Sequence, residues 1–299
     1  MKRSAQDIAA IIEQNRLSWN AVIEAHNSHK GNQGIWLKNG GHTLFPEELM
    51  LLGDLEGKSL LHLLCNCGQD TLSLARMGAE VTGVDISDEA IKVARELSQT
   101  SQIPAQFFRA NVYEWLQQPP YGPFDVVFMS YGVLYWLPDL KSLFKNIRGI
   151  LNPGGKVVFV DFHPVFWLFD DNWKLAYPYT SAGEDLLDEE GIGDYVGMSG
   201  EALVPWGFEE GIKDFNNPQH AHGFLWGMAD IIGAMLEAGL QLEVFEEYPY
   251  SNGFNPRPDI MHVDADRRCW LPKDMPSIPL MFALRASLGR PIATGLGRP

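Results

Sequence analysis

A polar turn between an apolar run and a helical pattern is the first place where the sequence could bind a ligand. Residues 64–68 (LCNCG) form this turn, and Asp85 ends the next apolar run, 17 residues beyond Gly68. Backbone amides at a helix N-terminus bind anionic groups, and a carboxylate at the end of a second strand binds ribose hydroxyls. Leu64 and Asn66 stand where a dinucleotide-type turn would have glycines, so the turn alone is a weak signal. Asp85 can also cap a helix, but the turn and the later strands favour a ribose.

Histidines near predicted strand ends are the candidates for accepting a proton, because an unperturbed imidazole has a pKa of about 6.5. His163 directly follows the apolar run KVVFVDF, and His26 lies in an N-terminal polar segment. We take these two as candidate catalytic residues together with Tyr131, which follows the run FDVVFMS. Further histidines of the same kind are His29, His220 and His222. Each histidine can equally be a surface or hydrogen-bonding residue.

Aromatic side chains are concentrated after residue 130. Tyr131, Tyr135 and Trp136 follow a predicted strand, at the edge where ligands of α/β sheets bind. The stretch 163–222 adds seven more: Phe166, Trp167, Trp173, Tyr177, Tyr179, Trp206 and Phe208. These can form a lid or an aromatic box for a planar or cationic substrate. They can also be the small core of that stretch, which is the more common arrangement.

The cysteines and histidines do not predict a metal site. Cys65-x-Cys67 has no second Cys/His pair at zinc spacing, and His220-x-His222 lacks a third ligand. The acidic stretch 183–194 is more typical of a solvated loop than of a cation site. We therefore expect no structural metal. Three cysteines in all are too few for a disulfide framework and favour a reducing compartment.

Composition narrows the class of partner. The 299 residues include 38 acidic and 23 basic side chains, a formal net charge of −15. Such a surface repels phosphate backbones and anionic lipid, so we expect no nucleic-acid or membrane partner. No apolar run approaches the ~20 residues that span a bilayer, and the N-terminus has no signal-peptide core. These features predict a cytoplasmic protein that acts on a small molecule.

The elements that position these residues alternate along the chain. Residues 4–25 predict one amphipathic helix, and the segment 26–41 predicts a loop. Apolar runs predict strands over 58–64, 80–86, 105–111, 124–131, 156–162, 240–247 and 278–286. Helical patterns predict helices over 70–78, 87–97, 140–151 and 224–238, with Ser87 as an N-cap and residues 152–155 (NPGG) as a stop.

Strands that alternate with helices predict an α/β fold with a doubly wound, mostly parallel sheet. We divide the chain into an N-terminal helical cap with a covering loop (1–57), a core (58–286) and a flexible tail (287–299). The core carries a lid insertion after strand five (163–222) and a second insertion (249–277). The cap and the first insertion offer surfaces on which a homodimer could form.

The order of five motifs resembles the class I S-adenosylmethionine-dependent methyltransferases. The motifs are LLHLLCNCGQDT, GAEVTGVDIS, RANVYEW, FDVVFMSYGVLYWLPDL and LNPGGKVVFVDFHP. The resemblance covers 58–163 strongly and 224–286 more loosely. It implies a Rossmann-like seven-stranded sheet whose last strand runs antiparallel, and S-adenosyl-L-methionine as cofactor.

The resemblance also implies which residues contact each part of the cofactor. The methionine end would meet Leu64, Asn66 and Gly68, and the ribose would meet Asp85, with Ile86 against the adenine. The adenine edge would meet Asn111 and Val112, and Ser130 and Tyr131 would lie beneath the cofactor. The chain departs from the family at His62, where an acidic residue is usual, and at Leu64 and Asn66, where glycines are usual. Leu64 carries a Cβ that limits close backbone approach, whereas Asn66 tolerates a left-handed conformation.

The leading interpretation is methyl transfer to a small-molecule acceptor by in-line displacement in an enclosed pocket. The protein must then exclude water, align the nucleophile and remove a proton. A second interpretation is a non-catalytic adenosyl-binding protein on the same fold, motivated by His62, Leu64 and Asn66. A third is an NAD-dependent oxidoreductase, which ranks behind because the G-x-G-x-x-G series is missing. The sequence does not distinguish O-, N-, C- and S-methylation.

Overall fold

A computed structural model describes residues 4–170 and 173–289. The helices are α1 (Ala5–Ser28), α2 (Gln33–Lys38), α3 (Pro46–Leu52), α4 (Gln69–Arg76), α5 (Asp88–Ser101), α6 (Val112–Gln117), α7 (Leu140–Ile150), α8 (Tyr195–Ser199) and α9 (Met228–Glu237). Short 3₁₀ helices span Leu134–Trp136, Pro164–Leu168 and Gly200–Ala202. Among these described residues, no helix combines the length and the apolar character needed to cross a membrane.

The strands are β1 (Ser59–Leu63), β2 (Glu80–Asp85), β3 (Gln106–Arg109), β4 (Phe124–Ser130), β5 (Leu151–Phe162), β6 (Leu186–Asp188), β7 (Ala221–Gly223), β8 (Leu240–Tyr248), β9 (Tyr250–Asn252), β10 (His262–Val263), β11 (Arg268–Trp270) and β12 (Met281–Leu288). The central sheet has the order β3-β2-β1-β4-β5-β12-β8. Strands β1 to β5 pair in parallel, and β12 runs antiparallel to both β5 and β8. The predicted Rossmann-like, mostly parallel seven-stranded sheet with an antiparallel last strand is confirmed.

Both faces of the central sheet are buried, which explains why its strands have near-continuous apolar runs. In β4, Val127 and Met129 face a cluster with the side chains of α7, whereas Val126 and Phe128 face a cluster with those of α3. The predicted stripe of α7 is among the buried residues of the first cluster: Leu140, Leu143, Phe144, Ile147 and Leu151. The order β3-β2-β1-β4-β5 changes direction between β1 and β4, where open α/β sheets bind ligands beyond the carboxyl ends of their strands.

The helix boundaries predicted from sequence agree with the structure at the start of α5 and differ from it at α7 and α9. The Ser87 hydroxyl accepts a hydrogen bond from the backbone N–H of Ala90 at 3.1 Å, so Ser87 is the N-cap of α5 as predicted. α7 ends at Ile150, but β5 begins at once with Leu151 instead of after the NPGG stop. The prediction of a helix over 224–238 was four residues too long at its start, because α9 begins at Met228.

The N-terminal segment contains more helix than its composition predicts. α1 covers the predicted helix and extends to Ser28, and the segment predicted as a loop contains the short helix α2. Asn32 caps α2, since its side-chain oxygen accepts a 3.3 Å hydrogen bond from the N–H of Ile35. α3 was also missed, although Pro46 at its first turn is a typical helix start.

The two predicted insertions differ in structure. Residues 163–222 contain only short elements, whereas 249–277 contains a three-stranded antiparallel sheet of order β10-β11-β9. That sheet could not be predicted from the sequence, because its strands have two or three residues each. Of the tail predicted over 287–299, residues 290–299 lie outside the described residues.

α1 and the first insertion are joined by hydrogen bonds. The amide of Asn15 donates to the carbonyl of His222 at 2.8 Å and accepts from its N–H at 2.7 Å. The amide of Asn217 donates to Ser18, and the Ser18 hydroxyl donates to the carbonyl of Gln219 at 3.0 Å. The helical cap and the insertion therefore form one continuous cover over the carboxyl ends of the strands.

Candidate functional site

The turn between β1 and α4 has the backbone conformation of a glycine-rich turn without its first two glycines. Leu64, Asn66 and Gly68 have φ angles of +55°, +48° and +78°. A left-handed conformation costs an ordinary residue about 1 kcal/mol or more, and it is easier for asparagine. The side chain of Asn66 also supports the turn, because its Oδ1 accepts a 2.7 Å hydrogen bond from the N–H of Cys67. The departures at Leu64 and Asn66 thus leave the shape of the turn intact.

Asp85 fastens this turn to the end of β2. Its two carboxylate oxygens accept hydrogen bonds from the N–H groups of Asn66 and Ser87, each at 2.8 Å. Burial raises the pKa of Asp85, and these hydrogen bonds oppose the shift by stabilising the carboxylate. A carboxylate oxygen has lone pairs for a second donor, so Asp85 can hold the turn and still accept ligand hydroxyls.

A cavity of about 890 Å³ lies over the carboxyl ends of the central strands. This volume is at the upper end of the range for small-molecule sites, about 300–1,000 Å³. The predicted site residues that line the cavity are Leu64, Asn66, Asp85, Ile86, Asn111, Val112, Ser130 and Tyr131. The structure therefore brings together side chains from the ends of four different strands.

Gly68 is the one predicted cofactor residue that is not part of the cavity wall. A Cβ at this position would lie 2.8 Å from ring atoms of Phe107 and 2.9 Å from the Cβ of Ala94. Gly68 is also the N-cap of α4, at a positive φ. A glycine is needed here because the start of α4 packs closely against α5 and β3. This packing holds the β1–α4 turn in place.

Tyr131 follows β4 in a left-handed conformation, with a φ of +51°. Its hydroxyl oxygen accepts a 3.1 Å hydrogen bond from the amide of Asn252, which also donates to Glu47. Burial and the nearby Glu48 raise the pKa of Tyr131 well above its ordinary value, so the hydroxyl stays protonated at neutral pH. The same hydroxyl also forms a hydrogen bond with the side chain of Glu48, and because it stays protonated it cannot act as a general base.

The structure does not bring His163 or His26 to the cavity wall. His163 directly follows β5. Its Nδ1 accepts a hydrogen bond from the N–H of Val165 at 3.1 Å, and its Nε2 lies 2.8 Å from a carboxylate oxygen of Glu247. His26 is completely buried, and its Nε2 lies 3.1 Å from the carbonyl oxygen of Gly193. Burial and the nearby Lys30 lower the pKa of His26 to about 3. Both imidazole rings are buried and contact neighbouring protein groups, so their role here is structural.

His29 and His222 are also held by protein partners, whereas His220 is exposed and does not line the cavity. His29 lies 2.7 Å from a carboxylate oxygen of Asp194 and stacks on Phe208 with ring centroids 5.1 Å apart. His222 lies 2.7 Å from Asp185. Within residues 4–170 and 173–289, no three His, Cys, Asp or Glu side chains group as they would around a metal ion. Cys65 and Cys67 are buried free thiols whose pKa values are raised by burial.

Three basic side chains that sequence reasoning did not select line the cavity: Lys30, His62 and Arg267. Lys30 is only 6% exposed, and burial lowers its pKa. His62 is buried, its Nδ1 lies 2.8 Å from the Thr71 hydroxyl, and burial lowers its pKa to about 4. Lys30 and Arg267 lie in segments predicted as loops, so no periodicity could place them.

Aromatic rings form the wall of the cavity at the end of β4 and β5. Tyr131, Phe162, Trp167 and Phe254 all line the cavity, and the rings of Phe162 and Phe254 are 4.6 Å apart. Tyr135 and Trp136, selected from the sequence, line it as well. Other aromatic residues of the insertion pack on each other, such as Phe169 and Trp173 at 5.4 Å. The insertion thus supplies both a cavity wall and a small core.

Comparison with known proteins agrees with this geometry. A family model described as a methyltransferase domain matches residues 61–157. The chain is 30% identical over 142 residues to the demethylmenaquinone methyltransferase of Lactococcus lactis, covering 46% of this chain and 55% of the relative. It is 32% identical over 119 residues to the ubiquinone biosynthesis O-methyltransferase of Acinetobacter baylyi, covering 39% of this chain and 50% of the relative. The chain therefore spans about half the length of these curated relatives.

Solved structures share the fold over most of the chain. The CcbJ methyltransferase of Streptomyces caelestis superposes with a TM-score of 0.56 at 14% identity, covering 92% of this chain and 99% of that one. An S-adenosylmethionine-dependent methyltransferase of Mesorhizobium loti superposes with a TM-score of 0.52 at 17% identity, covering 84% and 99%. At such low identity these likenesses concern the fold.

Proposed function

We propose that this chain, whose residues 61–157 match a methyltransferase domain, is a class I S-adenosylmethionine-dependent methyltransferase that acts on a small-molecule acceptor. The observation that carries the proposal is the single cavity of about 890 Å³, which joins the β1–α4 turn and Asp85 to the aromatic wall. One space is thus lined by residues suited to a nucleoside and by residues suited to a planar acceptor. A volume near the upper end of the usual range is what two ligands side by side require.

The residues present fit an adenosyl group. Asp85 has free lone pairs for the two ribose hydroxyls, and Ile86 offers an apolar contact for the adenine. Asn111 and Val112 also line the cavity, and the side chain of Asn111 caps α6 by accepting a hydrogen bond from the N–H of Tyr113 at 3.0 Å.

The other end of the cofactor would lie between the turn and Lys30. A buried ammonium is costly unless an anion accompanies it, and within the described chain no carboxylate lies within 4 Å of the Lys30 amine. A bound methionine carboxylate would supply that anion. Asp70 also lines the cavity and accepts a 2.5 Å hydrogen bond from the Thr43 hydroxyl. We assign Asp70 to the methionine ammonium, so the two ends of an amino acid would meet opposite charges.

S-adenosylmethionine supplies, when bound, an electrophilic methyl group on its sulfonium. The chain contributes positioning and the exclusion of water. Tyr131 and Ser130 form the floor of the cavity between its two ends, and α1 with the first insertion covers it. His62 also lines the cavity, and its pKa of about 4 keeps the ring neutral at pH 7 and makes it a weak base. Of the histidines selected from the sequence, His163 and His26 have no part in this proposal.

The aromatic wall and the two curated relatives favour an aromatic acceptor. The relatives' names refer to menaquinone and ubiquinone, which contain aromatic or quinone rings. A planar ring can pack against Tyr131, Phe162 and Phe254. We therefore propose a hydroxylated or quinone-type aromatic acceptor.

The test uses the full chain with methyl-labelled S-adenosylmethionine and a panel of hydroxylated aromatic acceptors. We expect label to appear in at least one acceptor, with S-adenosylhomocysteine formed in equal amount. Tight binding of S-adenosylhomocysteine without turnover on any acceptor would instead support a non-catalytic adenosyl-binding protein.

Lys30 gives a test of the cofactor's orientation. Lys30→Met should weaken S-adenosylhomocysteine binding tenfold or more, because an ion pair is lost, while 5′-methylthioadenosine, which lacks the amino acid end, should bind unchanged. Lys30→Arg keeps the charge and serves as the control. If Lys30→Met weakened both ligands equally, Lys30 would not contact the methionine end.

A further inference from the structure

A second cavity-lining cation, Arg267, has no acidic partner. Its guanidinium lines the cavity, and no carboxylate of the described residues lies within 4 Å of it. Two of its nitrogens donate single long hydrogen bonds, 3.3 Å to the carbonyl of Ala202 and 3.5 Å to that of Thr43. A guanidinium has five N–H donors, so its capacity exceeds these two contacts.

The neighbouring arginine, Arg268, has the acidic partner that Arg267 lacks. Arg268 pairs with Glu47 at 2.6 Å and lies over the ring of Tyr250, with its guanidinium carbon 4.7 Å from the centroid. Arg267 instead lies over the ring of Phe45, at 4.2 Å from the centroid. Consecutive residues of the second insertion therefore point one cation into a salt bridge and the other into the cavity.

The backbone around Arg267 is shaped to direct it there. Arg267 has a φ of +63°, which is unfavourable for a residue with a Cβ. The turn is closed by hydrogen bonds to Asp264, whose carbonyl accepts from the N–H of Arg267 at 3.0 Å and whose carboxylate accepts from that of Arg268 at 2.9 Å. The N–H of Gly253 donates to the carbonyl of Arg267 at 3.0 Å. Arg267 is thus held by hydrogen bonds within its own loop and by the N–H of Gly253, the residue that follows β9.

The nearby acidic groups do not neutralise Arg267. Glu48 is fully buried, and burial together with Asp70 raises its pKa well above its ordinary value, which favours the uncharged acid. Asp70 lies beyond 4 Å from the guanidinium and already accepts from the hydroxyls of Thr43 and Ser130. A positive charge therefore remains at this part of the cavity wall.

Arg267 lies near the start of the aromatic wall, away from the ribose end of the cavity. It contacts Phe45, whose ring is 6.3 Å from that of Tyr131 at the end of β4. Asp85 is at the end of β2, and β1 lies between β2 and β4. Neighbouring strands are about 4.8 Å apart, so the ribose carboxylate and the start of the aromatic wall are separated by about 10 Å.

We propose that Arg267 binds a carboxylate on the methyl acceptor, whose aromatic body packs against Tyr131, Phe162 and Phe254. A planar guanidinium matches a carboxylate through two parallel hydrogen bonds, and it is less strongly hydrated than an ammonium. The acceptor is therefore an aromatic acid. This inference rests on the proposed function, because it assigns the aromatic end of the cavity to the acceptor.

The test compares aromatic acids with their primary amides, which have the same shape without the charge. Hydroxylated benzoates, naphthoates and indole-carboxylates and their amides are titrated into the full chain saturated with S-adenosylhomocysteine. We expect at least one acid to bind tenfold or more tightly than its amide. In Arg267→Gln the acid should bind within about threefold of its amide, and the amide and S-adenosylhomocysteine should bind as they do to the wild type.

Arg268→Gln is the matched control, since it removes a neighbouring cation that faces away from the cavity, and it should keep the preference for the acid. Arg267→Lys keeps the charge without the planar fork and should retain part of the preference, which covers the case in which Arg267→Gln does not fold. Equal binding of acids and amides to the wild type, no binding of any acid, or an unchanged preference in Arg267→Gln would overturn the inference. Failure of S-adenosylhomocysteine binding alone, with the acid preference intact, would overturn the proposed function and leave Arg267 as a binding site for an aromatic carboxylate that is not a methyl acceptor.

Discussion

Individual residues in this molecule combine structural and ligand-binding roles. Asp85 holds the β1–α4 turn through two backbone hydrogen bonds and still faces the cavity. Asn66 takes a left-handed conformation and supports the turn with its own side chain. A turn of this shape therefore needs glycine at only one of three positions, Gly68, where a Cβ would meet Phe107.

His62 gives a prediction for the pH dependence of stability. Burial lowers its pKa from 6.5 to about 4 in the folded chain. The unfolded chain then binds the proton more readily, so the free energy of unfolding falls as the pH drops through 6.5 toward 4. Between pH 7 and pH 5 the loss due to His62 should be about 2 kcal/mol.

His62→Gln removes this titration while keeping a polar contact for the Thr71 hydroxyl. Denaturant unfolding at pH 7 and pH 5 should show that the variant loses about 2 kcal/mol less than the wild type. Parallel losses in the two proteins would mean that the His62 imidazole titrates normally in the folded state.

At the scale of elements, long and regular segments could be predicted from sequence, whereas the second insertion could not. The strands of the central sheet are buried on both faces, so their apolar runs mark them clearly. β9, β10 and β11 are too short to show a period, and their sheet is stabilised by contacts with distant residues such as the Arg268–Glu47 pair. The cavity residues Lys30 and Arg267 were missed because they lie in such segments.

The histidines that were predicted as candidate catalytic residues show a second limit of sequence reasoning. His163 follows β5 as predicted, but its side chain turns back to cap the next 3₁₀ helix and lies against Glu247. A strand end fixes where a residue lies and not where its side chain points. Asp85 and Tyr131, which also lie at the ends of strands, do line the cavity.

The packing of α4 gives a prediction at this scale. Gly68→Ala should destabilise the protein by about 2 kcal/mol or more, because the new Cβ meets Phe107 and Ala94 at a positive φ. Gly149→Ala is the matched control: Gly149 lies in α7, and a Cβ there would meet no atom within 4 Å. That substitution should stabilise by about 0.5–1 kcal/mol. Thermal and denaturant unfolding of both variants measure the two effects, and a shift of the same sign in each would contradict this account of the turn.

At the scale of the whole molecule, a regular sheet is covered by segments that are far apart in sequence. α1 and the first insertion meet through Asn15, Ser18 and Asn217, and together they cover the cavity. Composition and charge predicted a small-molecule ligand, but they could not show that the cover is shared between two segments. That arrangement depends on contacts between residues about 200 positions apart.

The shared cover should loosen when Asn15 is shortened. Asn15→Ala removes two hydrogen bonds to the backbone of His222, which should cost about 1–3 kcal/mol. Hydrogen exchange should become faster in residues 186–222 and remain unchanged in β4 and β5. Glu24→Ala, at an exposed position of the same helix, is the control. Uniform acceleration across the chain would show that the cover is not a separate unit.

The most direct test of the central claim is titration calorimetry of the full chain with S-adenosylmethionine and S-adenosylhomocysteine, with NAD as the control. The account predicts micromolar binding of both adenosyl ligands and no binding of NAD. Asp85→Ala should weaken the adenosyl ligands more than tenfold, because the carboxylate that accepts the ribose hydroxyls is lost. If neither adenosyl ligand bound, or if Asp85→Ala bound them as tightly as the wild type, the cavity would not be the cofactor site that we propose.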